Sequence, residues 1–98
     1  MFFVGIGTYI GSFFDGNLQG KGRFEYIDGS VYEGDWRSNK KHGVGKYMEP
    51  DGIAEYIGEW RNDMKHGKGT FTQKDFCLIE GTWTSGVMTD MVKYTSLE

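Results

Sequence analysis

The sequence contains a single cysteine, a single proline and no long apolar run. Because Cys77 has no cysteine partner within the chain, an internal disulfide is excluded, which is typical of a cytoplasmic or other reducing interior. No apolar stretch approaches the ~20 residues that span a bilayer, and the first residues lack the basic region and cleavage site of a secretory signal. We therefore expect a protein that is neither secreted nor transmembrane.

Charge and backbone composition exclude further classes. The net charge of -3 gives no general attraction to nucleic acid, so no nucleic-acid partner is expected. Sixteen glycines argue against a helix bundle, because each interior glycine costs a helix ~1 kcal/mol. With one proline and 16% aromatic residues, the chain is also unlike a disordered segment. Much of the apolar area must come from rings.

The chain repeats itself in steps of 23, 24 and 23 residues. Each unit begins with a five-residue motif that has tyrosine or isoleucine first, glycine third and an aromatic residue fifth. The four units start at Tyr9, Tyr32, Tyr56 and Ile79. In the first three units a Gly-x-Gly pair follows, and then an aromatic residue, at Phe24, Tyr47 and Phe71. We interpret residues 1–98 as one domain with an apolar N-terminal edge segment, 1–8, and four repeats, approximately 9–31, 32–55, 56–78 and 79–98. The last repeat is degenerate in its second half, as terminal repeats often are.

Each repeat is predicted to form a β-hairpin. Both halves of the motif alternate with period two, so the motif residues of each half share one face of a sheet. The residues between the halves tolerate the positive φ of a tight hairpin turn; they are Gly16, Asn39, Asp63 and Gly86. The Asp-Gly steps at Asp28 and Asp51 mark turns between repeats. The predicted fold class is all-β, with eight strands in up-and-down order in a single antiparallel sheet.

The glycines and the motif aromatics are expected to interlock. A glycine beside a ring on the same face leaves room for that ring to lie flat over the backbone, so that one curved sheet can build its own core. Six aromatics are predicted to be chiefly packing residues that also line a groove and can touch a ligand: Tyr32, Trp36, Tyr47, Tyr56, Trp60 and Phe71.

This pattern resembles the MORN repeat family (membrane occupation and recognition nexus). The matching segments are Tyr32-Glu-Gly-Asp-Trp36 with His42-Gly-Val-Gly-Lys-Tyr47, and Tyr56-Ile-Gly-Glu-Trp60 with His66-Gly-Lys-Gly-Thr-Phe71, within a resemblance that runs from Tyr9 to about Tyr94. The departures are Phe13 for Trp, Ile79 for Tyr and Phe76 for Gly. The resemblance implies an elongated, twisted sheet shaped like an open trough. It also implies a scaffold or dimerisation role, and phospholipid binding has been proposed for such repeats.

No residue pattern points to catalysis or to a cofactor. His42 and His66 occupy equivalent positions, but no Cys or carboxylate recurs beside them to complete a zinc site, so structural hydrogen bonding is the better interpretation. Cys77 has no repeat-matched His partner to activate it. No Gly-x-Gly opens a helix, which excludes a phosphate-binding loop. We expect a non-enzyme with no metal, no cofactor and no small-molecule substrate.

Basic residues gather around the predicted hairpin turns. Residues 13–24, 37–46 and 61–68 hold nine Lys or Arg and two Asp, a net charge of +7, whereas the remaining sequence carries -10. We call the candidate lipid-binding members of this set the basic rim: Arg37, Lys40, Lys41, Lys65 and Lys68. Such a rim can attract anionic membrane lipid, at ~1 kcal/mol for each nearby cation. The alternative interpretation is a solvated edge that keeps the sheet soluble.

The N-terminal segment suggests a second binding surface. Residues 1–14 contain no charged residue, and the first strand is predicted to be apolar on both faces and to lie at the sheet edge. The residues assigned to partner binding are Phe2, Phe3, Val4, Ile6, Ile10 and Phe14. They are covered either by the same chain, through Val87, Met88, Met91 and Val92, or by a partner, which is a second copy or a different subunit.

The sequence therefore predicts a non-enzymatic protein-interaction or scaffold module, a small subunit or adaptor of a larger assembly. It docks through its apolar N-terminal edge and its aromatic trough. The alternative is a peripheral membrane adaptor that binds anionic phospholipid through the basic rim.

Overall fold

The computed structural model describes the backbone of residues 2–4 and 7–98 and the side chains of residues 7–98. Within those ranges, nine strands form one antiparallel sheet, and their order in the sheet follows the sequence. The strands are β1 (Phe2–Val4), β2 (Gly7–Phe14), β3 (Asn17–Tyr26), β4 (Val31–Arg37), β5 (Lys40–Met48), β6 (Ala54–Arg61), β7 (Met64–Gln73), β8 (Cys77–Thr84) and β9 (Val87–Ser96).

The predicted all-β meander is confirmed. Its eight strands are β2 to β9, and the degenerate half of the fourth repeat still forms a full strand, β9. The molecule measures 43 × 24 × 17 Å. Eight inter-strand spacings amount to about 38 Å, so the long dimension runs across the strands and along the stack of hairpins.

Turn chemistry explains the hairpins. At each turn inside a repeat, two consecutive residues have positive φ, as a type I′ turn requires. The second positions are the predicted ones, Gly16, Asn39, Asp63 and Gly86, with φ between 70° and 88°. The first positions are Asp15, Ser38, Asn62 and Ser85, with φ between 48° and 50°. Short polar side chains or glycine occupy all eight positions, because these residues adopt this conformation at least cost.

The N-terminal prediction needs correction. The first strand of the first repeat was expected to lie at the sheet edge, but β1 pairs antiparallel to β2 on its outer side, with Val4 opposite Gly7 and Phe2 opposite Tyr9. An apolar edge strand offers unpaired backbone groups, and β1 pairs with those of Gly7 to Tyr9. Ile6 and the side chains of Phe2, Phe3 and Val4 lie outside the described residues, so their roles in partner binding stay predictions.

The predicted intramolecular cover of this edge is wrong. Val87, Met88, Met91 and Val92 belong to β9, which lies at the opposite end of the sheet from β1 and β2. Because the strand order is linear, these side chains are separated from β2 by six intervening strands.

Tyrosine rings packed on glycine form the core, as predicted. The rings of Tyr9, Tyr32 and Tyr56 are almost completely buried. Each lies over the second glycine of a Gly-x-Gly pair, so that a Cβ added there would overlap the ring; the pairs are Tyr9 on Gly22, Tyr32 on Gly45 and Tyr56 on Gly69. The neighbouring strand also carries glycine opposite each of these, which keeps the backbones close.

Hydrogen bonds fix each tyrosine in place. The Tyr32 hydroxyl donates to the carbonyl oxygen of Asp35 at 2.9 Å, and the Tyr56 hydroxyl donates to that of Glu59 at 3.1 Å. Burial raises the pKa of Tyr56 to about 12, so its hydroxyl remains a donor at neutral pH. The indole of Trp60 donates to the carbonyl oxygen of Gly45 at 3.0 Å and so ties β6 to β5.

The rings also stack from repeat to repeat. Tyr32 meets Trp36 of its own repeat edge-on, with centroids 5.0 Å apart, and Trp60 of the next repeat at 5.2 Å. Tyr56 contacts Trp60 at 5.3 Å and Trp83 at 4.8 Å in the same geometry. Edge-to-face pairs add ~0.5–1.5 kcal/mol beyond the burial of their area. Neighbouring repeats therefore stabilise each other through one continuous row of rings.

We predict that Gly45→Ala lowers the free energy of unfolding by about 1–3 kcal/mol, because the added methyl group overlaps the Tyr32 ring. Chemical denaturation of both proteins measures the difference. The matched control is Gly52→Asn, at a positive-φ glycine with open space around it, where asparagine is tolerated. Equal stabilities for Gly45→Ala and the wild type would contradict the interlocking of rings and glycines.

Candidate interaction surface

One face of the sheet carries the ring core and, above it, a partly exposed layer. We call this layer the aromatic groove; its members are Tyr26, Lys41, Tyr47, Lys65, Phe71 and Met88. Tyr26, Tyr47 and Phe71 pack against the buried rings and keep part of their surface open. The face therefore offers a partner both apolar rings and two ammonium groups.

The six predicted groove aromatics divide into two layers. Tyr32, Trp36, Tyr56 and Trp60 are buried and form the floor, which agrees with their predicted role in packing. Tyr47 and Phe71 are only partly buried and belong to the exposed layer. Of the six, only Tyr47 and Phe71 thus keep surface exposed on this face, while the other four support them.

Lys41 lies inside a box of aromatic rings. Its Nζ atom is 5.2 Å from the ring centroid of Tyr26, 5.5 Å from Tyr32, 5.8 Å from Tyr47 and 5.6 Å from Trp60. Burial lowers the pKa of the Lys41 ammonium group, and the nearby negative charge of Asp63 opposes this shift without reversing it. The cation is held by the negative faces of the rings rather than by an ion pair.

Lys65 occupies the equivalent position one hairpin later and lies over one ring. Its Nζ atom is 5.2 Å from the centroid of the Tyr56 ring. A depression of about 270 Å³ is lined by both lysines and by Tyr47, Trp60, Asp63 and Met64. The depression therefore combines apolar walls with two cations and one carboxylate.

The two lysines of the aromatic groove, Lys41 and Lys65, are called the groove lysines, and they occupy equivalent positions in successive repeats. Each strand pair places that position opposite the last aromatic of the motif: Leu18 opposite Phe13, Lys41 opposite Trp36, Lys65 opposite Trp60 and Met88 opposite Trp83. The outer repeats therefore carry apolar residues where the central repeats carry lysine. Packing does not require the charge, since leucine and methionine fill the same place.

The predicted basic rim is not one surface. Arg37 and Lys40 lie opposite each other at the end of the second hairpin and are exposed. Lys41 and Lys65, by contrast, point over the rings of the aromatic groove. Lys68 is exposed in the middle of β7 and lines a different depression with Ile57 and Val92. Residues that are close in sequence are separated because side chains alternate between the two faces of a strand.

Other cations near the turns are paired with acids. Lys21 forms a salt bridge with Asp35 at 2.5 Å, and Lys46 forms one with Glu55 at 3.4 Å. Burial alone would raise the pKa of Asp35, but hydrogen bonds from Lys21 and from the Val44 amide lower it overall. These pairs reduce the positive charge that the turns were expected to present.

The His66 side chain makes a structural hydrogen bond. The Nδ1 atom of His66 accepts a long hydrogen bond, 3.5 Å, from the Ser85 amide of the next turn. At the equivalent position of the first repeat, the Gln19 side chain accepts from the Ser38 amide at 3.0 Å. Across residues 7–98, His, Cys, Asp and Glu side chains form no group of three or more that could hold a metal ion. The structural hydrogen bonding predicted for the histidines agrees with this geometry at His66.

The described part of the N-terminal edge is apolar and exposed. Ile10 is 47% exposed and Phe14 is 66% exposed, and among the described residues the pairing of β2 with β1 reaches Tyr9. Ile10 lies opposite Arg23 on β3, so its side chain stands beside a charged residue. These two residues form the apolar edge, the second candidate surface.

Sequence reasoning missed Tyr26 and the position of the groove lysines. Tyr26 follows Phe24 by two residues, and period-two alternation places both on one face, where their rings stack at 4.4 Å. For Lys41 and Lys65, the signal is their alignment with Leu18 and Met88 in the repeat, which marks a position on the ring face.

We predict that Lys41 titrates below the ordinary lysine pKa of ~10.4, because burial disfavours its charged form. The chain has eight lysines, and their side-chain resonances can be followed by NMR as the pH rises. The early-titrating signal should vanish in Lys41→Gln and persist in the control Lys40→Gln. Titration of Lys41 at or above the ordinary value would contradict the ring box.

The comparisons with known proteins agree with this architecture. The family model described as MORN repeat matches the chain three times in succession, at residues 9–31, 32–53 and 56–77. No curated protein matches the chain. In the part of the chain that the structure describes, no helix is long and apolar enough to cross a membrane. Since the three matches cover more than half of the residues, the chain belongs to the MORN repeat family.

Proposed function

We propose that this protein is a non-enzymatic docking module, a small subunit or adaptor of a larger assembly, which binds a protein partner through the aromatic groove and the apolar edge. MORN repeats commonly mediate protein or membrane-lipid interactions, and the family is a non-catalytic interaction repeat. The proposal narrows this general role to protein docking by two surfaces.

The observation that carries the proposal is the apolar surface that the sheet leaves open. On β2, Ile10 and Phe14 are exposed at one end of the sheet. On the groove face, Tyr47 and Phe71 are only partly buried, although they pack against the core. Apolar surface of this kind, gathered at an edge and along a groove, is typical of sites where another chain binds.

The partner is a different subunit or a second copy of this chain. Strand addition at an edge suits either, because the backbone hydrogen bonds do not depend on the identity of the added strand. We place the module in the cytoplasm or another reducing interior. The thiol of Cys77 is free and buried, which supports that setting.

A membrane-lipid role is the second candidate. Arg37, Arg61, His42 and His66 line one shared depression of about 440 Å³ together with the acid Glu59, and Lys40 lies opposite Arg37. These groups can meet an anionic headgroup. Only Arg37 and Lys40 of the predicted rim take part, however, since Lys41 and Lys65 lie in the groove and Lys68 lies elsewhere.

We predict that the tagged chain retains a stoichiometric protein from native lysate through a high-salt wash, because apolar docking is not screened by salt. Two double variants should lose it: Ile10→Ser with Phe14→Ser at the edge, and Tyr47→Ser with Phe71→Ser in the groove. The control is Ile27→Ser, at an apolar side chain that is 79% exposed and belongs to neither surface.

Near-native circular dichroism of each variant ensures that lost binding does not reflect unfolding. Equal recovery of the partner by wild type and both double variants would contradict docking through these surfaces. Recovery of anionic lipid alone, released by salt, would favour the lipid candidate instead.

A further inference from the structure

The two groove lysines stand where the fold needs no charge. Leu18 and Met88 fill the same position in the outer repeats, and Leu18 is buried in the core cluster. Burial lowers the pKa of Lys41, so the environment disfavours its charge. A charged residue at a packing position in each central repeat calls for a role in binding.

Neither ammonium group has an ion-pair partner in the described residues. The salt bridges found there involve Lys21, Arg23 and Lys46. Asp63 lines the same depression and acts on the charge of Lys41, but its Oδ1 atom accepts the backbone amide of Lys41 at 2.8 Å and it forms no ion pair with either ammonium group. Two ammonium groups over ring faces are therefore available for a carboxylate from another chain.

The spacing of the lysines restricts the shape of that chain. Lys41 on β5 and Lys65 on β7 are two strands apart, which places them roughly 10 Å from each other along the groove. In a helix, residues seven apart lie about 10.5 Å apart on one face. In an extended strand, residues three apart span about 10 Å but point to opposite faces. A helix matches the spacing, and a strand does not.

Resting on the proposed function, we propose that the aromatic groove binds an amphipathic helix of a partner protein that carries two acidic residues seven positions apart. One carboxylate pairs with Lys41 and the other with Lys65. The apolar residues of the same helix face pack on Tyr47 and Phe71, and an apolar residue seven positions beyond the acid at Lys65 meets Met88, which is 38% exposed. The helix axis lies across the strands, along the 43 Å dimension.

The test uses synthetic helical peptides of 22 residues, capped at both ends, with one leucine-rich face. The first has Glu at positions 8 and 15, the second has Gln at both, and the third has Glu at 8 and 12, which shortens the spacing to about 6 Å. Binding is measured by fluorescence anisotropy or calorimetry at physiological salt. We expect the first peptide to bind the wild-type chain at least tenfold more tightly than either of the others.

Protein variants locate the contacts. In Lys41→Gln and in Lys65→Gln, the preference for the first peptide over its Gln twin should fall below threefold. Lys40→Gln, which removes the adjacent exposed lysine, should keep the full tenfold preference. Thermal unfolding confirms that each variant is folded, and the two groove variants provide independent tests.

The outcomes separate this inference from the proposed function. If all peptides bind equally, or if none binds, the acidic-helix inference is overturned, and the docking proposal still stands on the capture experiment. A tenfold preference that survives both groove variants also overturns it, because the carboxylates then act elsewhere. A preference lost in both groove variants and kept in Lys40→Gln supports it.

Discussion

Packing of a tyrosine ring on a glycine of the adjacent strand is the interaction on which the rest of this structure depends. The ring of Tyr32 occupies the space where a side chain at Gly45 would lie, and its hydroxyl closes a hydrogen bond to the Asp35 carbonyl. The tryptophans then fit edge-on between successive tyrosines. A single sheet obtains a dry core in this way, without a second layer of helices or strands. The sequence is rich in both glycine and aromatic residues because each buried tyrosine ring needs a glycine beneath it.

The same packing determines where function can reside. Because the motif rings fill the floor of one face, only the layer above them is exposed on that face, and the repeat places one variable position there in each hairpin. In the central repeats this position is lysine, held among ring faces at 5.2–5.8 Å. The repeats therefore present side chains at regular intervals along the groove, and a change of residue type at one repeat position changes the charge and polarity of the groove there.

Much of the fold was predictable because its signals are local and repeated. Period-two alternation, the turn residues such as Asn39 and Asp63, and the ring–glycine complementarity all lie within one 23-residue unit. The N-terminal correction has a different cause: a stretch without charged residues shows no polar–apolar alternation that separates two strands, so β1 was not foreseen. The basic rim was misread because charges were summed along the sequence, whereas Lys40 and Lys41 lie on opposite faces of one strand. Burial of Lys41 depends on Tyr26 and Trp60, which come from neighbouring repeats and which no local pattern connects to it.

The central claim is that the ring face serves at once as core and as docking surface. Amine acylation followed by mass spectrometry, applied to the free chain and to the chain in its native assembly, tests it most directly. The account predicts that Lys41 and Lys65 react more slowly in the assembly while Lys40 reacts at the same rate in both. Equal reactivity of Lys41 and Lys65 in the two states, with protection of Lys40 instead, would contradict it.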